Sequence, residues 1–134
     1  FDFVGTGICM TKPLNVLVID DETALAGSIS SFLTLKGHNV TVMSESKKVL
    51  GHITQEEYCN YYDLIIVDIF MPGLEGVELI QMIRRALVFT KIVVMSGATE
   101  RNGMNLTELV AQYEVSAVMQ KPFRAGELLE CLEL

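Results

Sequence analysis

The chain has 134 residues, half of them hydrophobic, with 10 Lys+Arg against 17 Asp+Glu for a formal charge of −7. That length fits one domain able to bury roughly two-thirds of its unfolded surface. The acidic balance, without a basic run, excludes an electrostatic grip on nucleic acid or an anionic membrane, and no apolar run approaches the roughly 18 residues of a membrane span. Partners are then expected to be proteins, small anions or cations.

Residues 1–12 read as a tail and residues 13–134 as the folded domain. The first ten residues lack a cationic leader and an h-region ending in small residues, so they do not read as a signal peptide. Met10 is a possible native start; what precedes it is either an expression remnant or the end of an upstream segment. Cys9, Cys59 and Cys131 are odd in number, widely spaced and without a C-x-x-C pair. Neither a disulfide framework nor a zinc site is indicated, and a reducing cytoplasm fits best.

Short runs rich in Val, Ile and Leu follow at residues 14–19, 39–43, 64–69, 91–95 and 116–120, too short for typical helices and apolar enough for strands buried on both faces. Between them the apolar residues recur at helical spacing. The first stripe is Leu25, Ile29, Phe32 and Leu33, the second Val49, Leu50 and Ile53, the third Leu79, Ile80, Ile83 and Leu87. Leu106, Leu109, Val110 and Tyr113 make a fourth, and Ala125, Leu128, Leu129 and Leu132 the last. Gly37 is placed to end the first helix in a left-handed conformation, and Asn105 or Thr107 to cap the fourth. The alternation predicts a flavodoxin-like (βα)5 fold with helices on both faces of a five-stranded parallel sheet in the order 2-1-3-4-5.

Four of the five strand-like runs stop at or next to a polar group: Asp20-Asp21, Asp68, Ser96 and Lys121. Ligands of open parallel sheets bind outside the carboxyl ends of the strands, so these residues converge on one pocket. Each also has a plainer explanation. Asp21 or Glu22 could cap the first helix, Ser96 could begin a turn, and Lys121 could be a solvated strand-end lysine whose orientation Pro122 sets. Asp68 is harder to dismiss, because an unpaired carboxylate is costly in apolar surroundings. Two carboxylates about 4 Å apart repel by about 4 kcal/mol at an effective dielectric near 20, so gathering three calls for a proton, Lys121 or a cation. Oxygen-only ligands favour Mg²⁺.

Asp20-Asp21, the stretch from Asp68 through Met71-Pro72 to Gly76, Ser96, and Lys121-Pro122-Phe123 together resemble the receiver domain of two-component response regulators, over nearly the whole chain from Leu14. The resemblance implies that Asp68 is a phosphoacceptor served by a sensor histidine kinase or a histidine phosphotransfer protein. It implies that Asp20, Asp21, Asp68 and the backbone carbonyl of Phe70 hold Mg²⁺ or Mn²⁺, and that Ser96 and Lys121 contact the phosphoryl oxygens. It also implies a cis Lys121–Pro122 bond and an output face on helix 4, strand 5 and helix 5, read by an output domain or a downstream protein. Val118 stands where the family usually has an aromatic, so another element must report phosphorylation. Phe70, two residues after the acceptor, is bulky enough to shield an acyl phosphate, and it replaces the second acid that an aspartyl-phosphate hydrolase needs. A pseudo-receiver that binds partners without phosphorylation is the other alternative. His38 and His52 read as packing residues, and residues 58–62 as helix-to-strand packing or a partner patch.

Overall fold

A computed structural model of the chain describes residues 12–69, 76–96 and 106–133. Five parallel strands, β1 (Asn15–Ile19), β2 (Asn39–Met43), β3 (Leu64–Asp68), β4 (Lys91–Ser96) and β5 (Ala117–Gln120), pair in the order β2-β1-β3-β4-β5. The helices that alternate with them are α1 (Thr23–Leu35), α2 (Ser46–Ile53), α3 (Gly76–Ala86), α4 (Leu106–Tyr113) and α5 (Ala125–Cys131), with a short 3-10 turn at Glu56–Tyr58. No helix among the described residues is long and apolar enough to cross a membrane. The expected fold and strand order are both present, with strand ends shifted by one residue at most. At the start of β1, for instance, the Leu14 N–H leaves the ladder and donates to Nδ1 of His38 at 3.0 Å. His38 is accordingly buried rather than at the surface.

Period-2 alternation divides the sheet between two cores. Leu17, Ile19, Ile65, Val67, Ile92 and Val94 face one side, where they meet Val49, Ile53, Ile80 and Ile83 of α2 and α3. Val16, Val18, Leu64, Ile66, Val93 and Met95 face the other, against Ala26, Ile29 and Leu33 of α1 and Leu128 and Cys131 of α5. Covering both faces is what the unbroken apolar strands require.

The described helix ends bear out the expected role of Gly37 and correct the capping of α1. Gly37 has φ +94 just past α1, the conformation that costs glycine least. Neither Asp21 nor Glu22 caps α1: Glu22 is the N-cap residue but makes no side-chain cap. The Glu22 amide is instead taken by the carboxylate of Asp20 at 2.9 Å. The expected caps of α4 concern Asn105, which lies outside the described residues, and the side chain of Thr107, which is likewise not described. The tyrosine segment packs in part, as one of its two expected roles requires. Tyr62 is buried and lies 2.6 Å from Nε2 of His52, Tyr58 rests on the His52 ring with centroids 4.3 Å apart, and Tyr61 is exposed.

Cys131 at the end of α5 is buried, and that burial, with Glu130 and Glu127 nearby, pushes its thiol up to about 11. Cys59 is exposed. Because thiolate is the reactive form, alkylation of the native chain with iodoacetamide near pH ~8 should modify Cys59 and spare Cys131 until urea unfolds the domain, as read by peptide mass mapping. Early labelling of Cys131 would contradict the packing of α5.

Candidate functional site: an acid pocket at the carboxyl end of the sheet

The pocket residues are pinned by backbone hydrogen bonds that carry the ladder just past the strand ends. The Asp20 N–H donates to the Met43 carbonyl at 3.1 Å, the Ile69 N–H to Met95 at 3.2 Å, and the Lys121 N–H to Ser96 at 2.8 Å. Asp20 and Asp68 thereby end the two central strands β1 and β3, on either side of the point where the strand order reverses. Both continue the side-chain parity of Val18 and Ile66 and so lean toward the α1 and α5 side. Lys121 continues the parity of Met119 and reaches back across the sheet.

Its ammonium sits between the two carboxylates, 3.1 Å from Oδ2 of Asp20 and 3.0 Å from Oδ2 of Asp68, with Oε1 of Glu22 at 3.5 Å. Asp20 and Asp68 are buried, at 0% and 5% exposure, while Asp21 is exposed. One carboxylate oxygen from each of Asp20, Asp21 and Asp68 lies within 4.8 Å of the other two. Ser96 is buried at the end of β4, one strand over. The Lys121–Pro122 bond is cis. Phe70, whose carbonyl was expected as a fourth oxygen ligand, and the connection from Ser96 to α4 lie outside the described residues.

A model of the response regulator receiver domain family matches residues 16–133. The chain belongs to that family. Among the relatives, it is 31% identical over 120 residues to the cell cycle transcriptional regulator CtrA of Caulobacter vibrioides, covering 87% of this chain and 47% of CtrA. It is 28% identical over 125 residues to the sensory/regulatory protein RpfC of Xanthomonas campestris, covering 90% of this chain and 16% of RpfC. The receiver domain thus spans about half or less of these curated relatives. Of the solved structures, a receiver domain protein from Clostridium thermocellum superposes with a TM-score of 0.76 at 26% identity, over 90% of this chain and 91% of that one. A response regulator from Burkholderia pseudomallei, solved with a phosphorylated aspartic acid, a calcium ion and citrate, gives 0.74 at 22% identity, over 89% of this chain and 66% of that one.

The electrostatics of this receiver domain follow from its burial. Desolvation pushes the Asp20 carboxyl above its usual range and the neighbouring Asp68 adds to the push, while the Glu22 amide and Lys121 pull it part of the way back. Burial also works against the Lys121 ammonium, yet its hydrogen bonds to Asp68 and Asp20 outweigh this and its pKa is raised. Asp20, Asp21 and Asp68 against one ammonium leave a formal charge of −2, to which Glu22 at the rim adds one more negative charge. That charge, presented by oxygen donors alone, suits a hard divalent cation.

Glu22, which directly follows the acid pair in sequence, joins the ion-pair network from the rim. One feature was not foreseen from sequence. Arg84 ties α3 to the carboxyl end of α4: Nε donates to the Tyr113 carbonyl at 3.0 Å and Nη2 to that of Glu114 at 3.1 Å. Gln81 adds a bond to the Tyr113 hydroxyl at 2.5 Å. Helical periodicity carries no signal for such bonds.

Asp20 with a folded pKa above 3.8 binds protons more readily than in the unfolded chain. Its contribution is therefore fully favourable below 3.8 and is lost as pH rises through the raised value. The cation-free domain should lose stability over that window, and Asp20→Asn should raise its melting temperature at neutral pH by a few degrees, about 1 kcal/mol. Thermal melts in chelator across pH check this; an unchanged or lower value for the variant would count against the repulsion argument.

Proposed function

We propose that this domain is a phosphorylation-dependent switch of a two-component system, with Asp68 as phosphoacceptor. The observation that carries the reading is the ammonium of Lys121 held against Asp68 and Asp20 at the carboxyl edge of the sheet. A carboxylate nucleophile needs an in-line donor and neutralisation of the oxygens in transit, and little else.

In the proposed reaction an Asp68 carboxylate oxygen attacks the phosphorus of a phosphohistidine on a sensor histidine kinase or histidine phosphotransfer protein. The phosphorus–nitrogen bond breaks, the imidazole leaves with the electron pair and takes a proton, and a mixed anhydride remains on Asp68. Lys121 pairs with one phosphoryl oxygen and the Ser96 hydroxyl donates to another. Asp20, Asp21 and Asp68, with the Phe70 carbonyl as the resemblance to receiver domains implies, would hold Mg²⁺ or Mn²⁺. When bound, the cation neutralises charge on the transferred group. The Burkholderia protein, which shares the fold and holds a phosphorylated aspartic acid and a calcium ion, supports the compatibility of this architecture with both.

The pairing made by Lys121 differs between the two states, and such a differential contact is what biases a two-state equilibrium. In the proposed switch Ser96 is drawn toward the phosphoryl group and pulls on the start of α4. Arg84 and Gln81 hold the other end of α4 at Tyr113, so the helix pivots about that end. Val118 is half-buried on the α3 and α4 side and packs against that core, and the lever replaces the missing aromatic as the reporter. The face formed by α4, β5 and α5 would then engage an output domain or a downstream protein, in the cytoplasm.

With Mg²⁺ and acetyl phosphate, intact mass should show one phosphoryl group on the wild type and none on Asp68→Asn. Lys121→Ala should bind the cation at least as well, since a competing positive charge is gone, yet acquire phosphate far more slowly. Modification that persists in Asp68→Asn would move the acceptor elsewhere.

A further inference from the structure

The oxygens of the acid pocket are already engaged before any cation reaches them. Oδ1 of Asp20 accepts the Glu22 amide at 2.9 Å, and Oδ2 of the same carboxylate accepts the Lys121 ammonium at 3.1 Å. Oδ2 of Asp68 accepts that ammonium too, at 3.0 Å. A cation gathered by Asp20, Asp21 and Asp68 therefore meets Lys121 on the oxygens it would take, and like charges at such distances repel. Lys121 has to give way, with little room to do so. Its amide is fastened to the Ser96 carbonyl at 2.8 Å and its side chain is only 12% exposed. An ammonium left without a partner in such a place is costly.

Glu22 stands where the displaced ammonium can go. Its Oε1 is 3.5 Å from Nζ of Lys121, and its side chain lies at the solvent rim. The residue opens α1 as the N-cap yet makes no side-chain cap. Glutamate is not among the preferred capping types, and here the carboxylate is turned to the lysine instead. The Glu22 amide meanwhile holds Oδ1 of Asp20, which leaves Oδ2 as the oxygen that lysine and cation contest. One residue thus fixes Asp20 through its backbone and faces Lys121 through its side chain. A lysine stem is flexible enough to trade one oxygen for another across so short a step.

We propose that Glu22 is a positioning residue of the pocket: it receives the Lys121 ammonium when a divalent cation takes the oxygens of Asp20 and Asp68. The inference rests on the cation site of the proposed switch and adds to it a residue that does not touch the cation. Exchange of one carboxylate partner for another keeps the lysine charged, paired and beside the pocket, so cation binding no longer carries the full cost of a stranded ammonium. From Glu22 the same ammonium needs only to swing back to meet a phosphoryl oxygen once Asp68 carries one.

The test is titration calorimetry of Mg²⁺ into the cation-free chain, at about 150 mM salt so that distant charges are screened, for the wild type, Glu22→Gln, Lys121→Ala and the double variant. Glu22→Gln keeps the amide that holds Asp20 and removes only the charge. It should weaken Mg²⁺ binding about three-fold in the wild type, the scale of one exposed ion pair, and by less where Lys121 is already alanine and no ammonium needs receiving. In the Mg²⁺-saturated wild type the ¹⁵N signal of the Lys121 ammonium, assigned by its absence from Lys121→Ala, should stay protected from exchange, and Glu22→Gln should broaden it. An equal or larger loss of affinity in the Lys121→Ala background means that Glu22 acts on the cation directly and overturns the proposal. So does an unchanged affinity or an unmoved signal in Glu22→Gln. A wild type that binds no Mg²⁺ overturns the cation site itself, and this inference with it.

Discussion

Among the described residues, the ammonium of Lys121 is the positive charge that offsets the acids at the carboxyl end of this sheet. Two buried carboxylates end the central strands, a third lies beside them, and without a counter-charge their mutual repulsion would amount to several kcal/mol. Lysine suits the position better than arginine would. Its point charge on a flexible stem can turn from one oxygen to another, whereas a guanidinium fork would commit to one bidentate partner. Even so the compensation is incomplete, since one ammonium faces three acids. A site left short of positive charge has affinity for whatever brings more, and the domain's chemistry and its instability have the same origin.

Topology supplies the rest. Reversal of strand order between β1 and β3 opens a crevice, and the two strands that border it are those that end in Asp20 and Asp68. Lys121 arrives from the far edge, two strands away from Asp68, and it can do so because its own amide is fastened to Ser96. Ser96 therefore anchors the lysine's backbone through its carbonyl, while its side chain is buried at the end of β4. A shift at Ser96 moves Lys121 with it. Side-chain parity adds a further division: Asp20, Asp68 and Lys121 belong to the layer of α1 and α5, whereas Ser96 continues the alternation of Val94 toward α3 and α4. The pocket straddles the edge of the sheet and touches both cores.

What could be read from residues alone follows the same physics. Strands buried on both faces are unbroken apolar runs, so Ile65-Ile66-Val67 and Ile92-Val93-Val94 announced themselves, and a polar residue ending such a run, as Asp68 and Ser96 do, is conspicuous. The convergence of Asp20, Asp21, Asp68 and Lys121 follows from strand order, which regular βα alternation strongly constrains. By residue type Asp21 and Glu22 are both plausible caps of α1, and only the turn geometry gives the Glu22 amide to Asp20. Contacts such as those of Arg84 with the end of α4 join segments far apart in sequence and end on carbonyl oxygens, which every residue possesses. No pattern of side-chain types could have disclosed them.

The Arg84 clamp has a consequence for how such a domain can diversify. All five of its bonds end on backbone carbonyls, at Leu87, Val88, Thr90, Tyr113 and Glu114, and one of these residues, Glu114, sits at φ 53, a conformation that side chains other than glycine rarely adopt. The clamp is thus blind to the side chains it holds. Exposed positions on the loop between α3 and β4 can drift through many residue types while keeping their shape, so a new recognition surface could be written there without rewriting the fold. Arg84 itself has no such freedom: a lysine offers three donors from one nitrogen and could not span carbonyls on two separate connections.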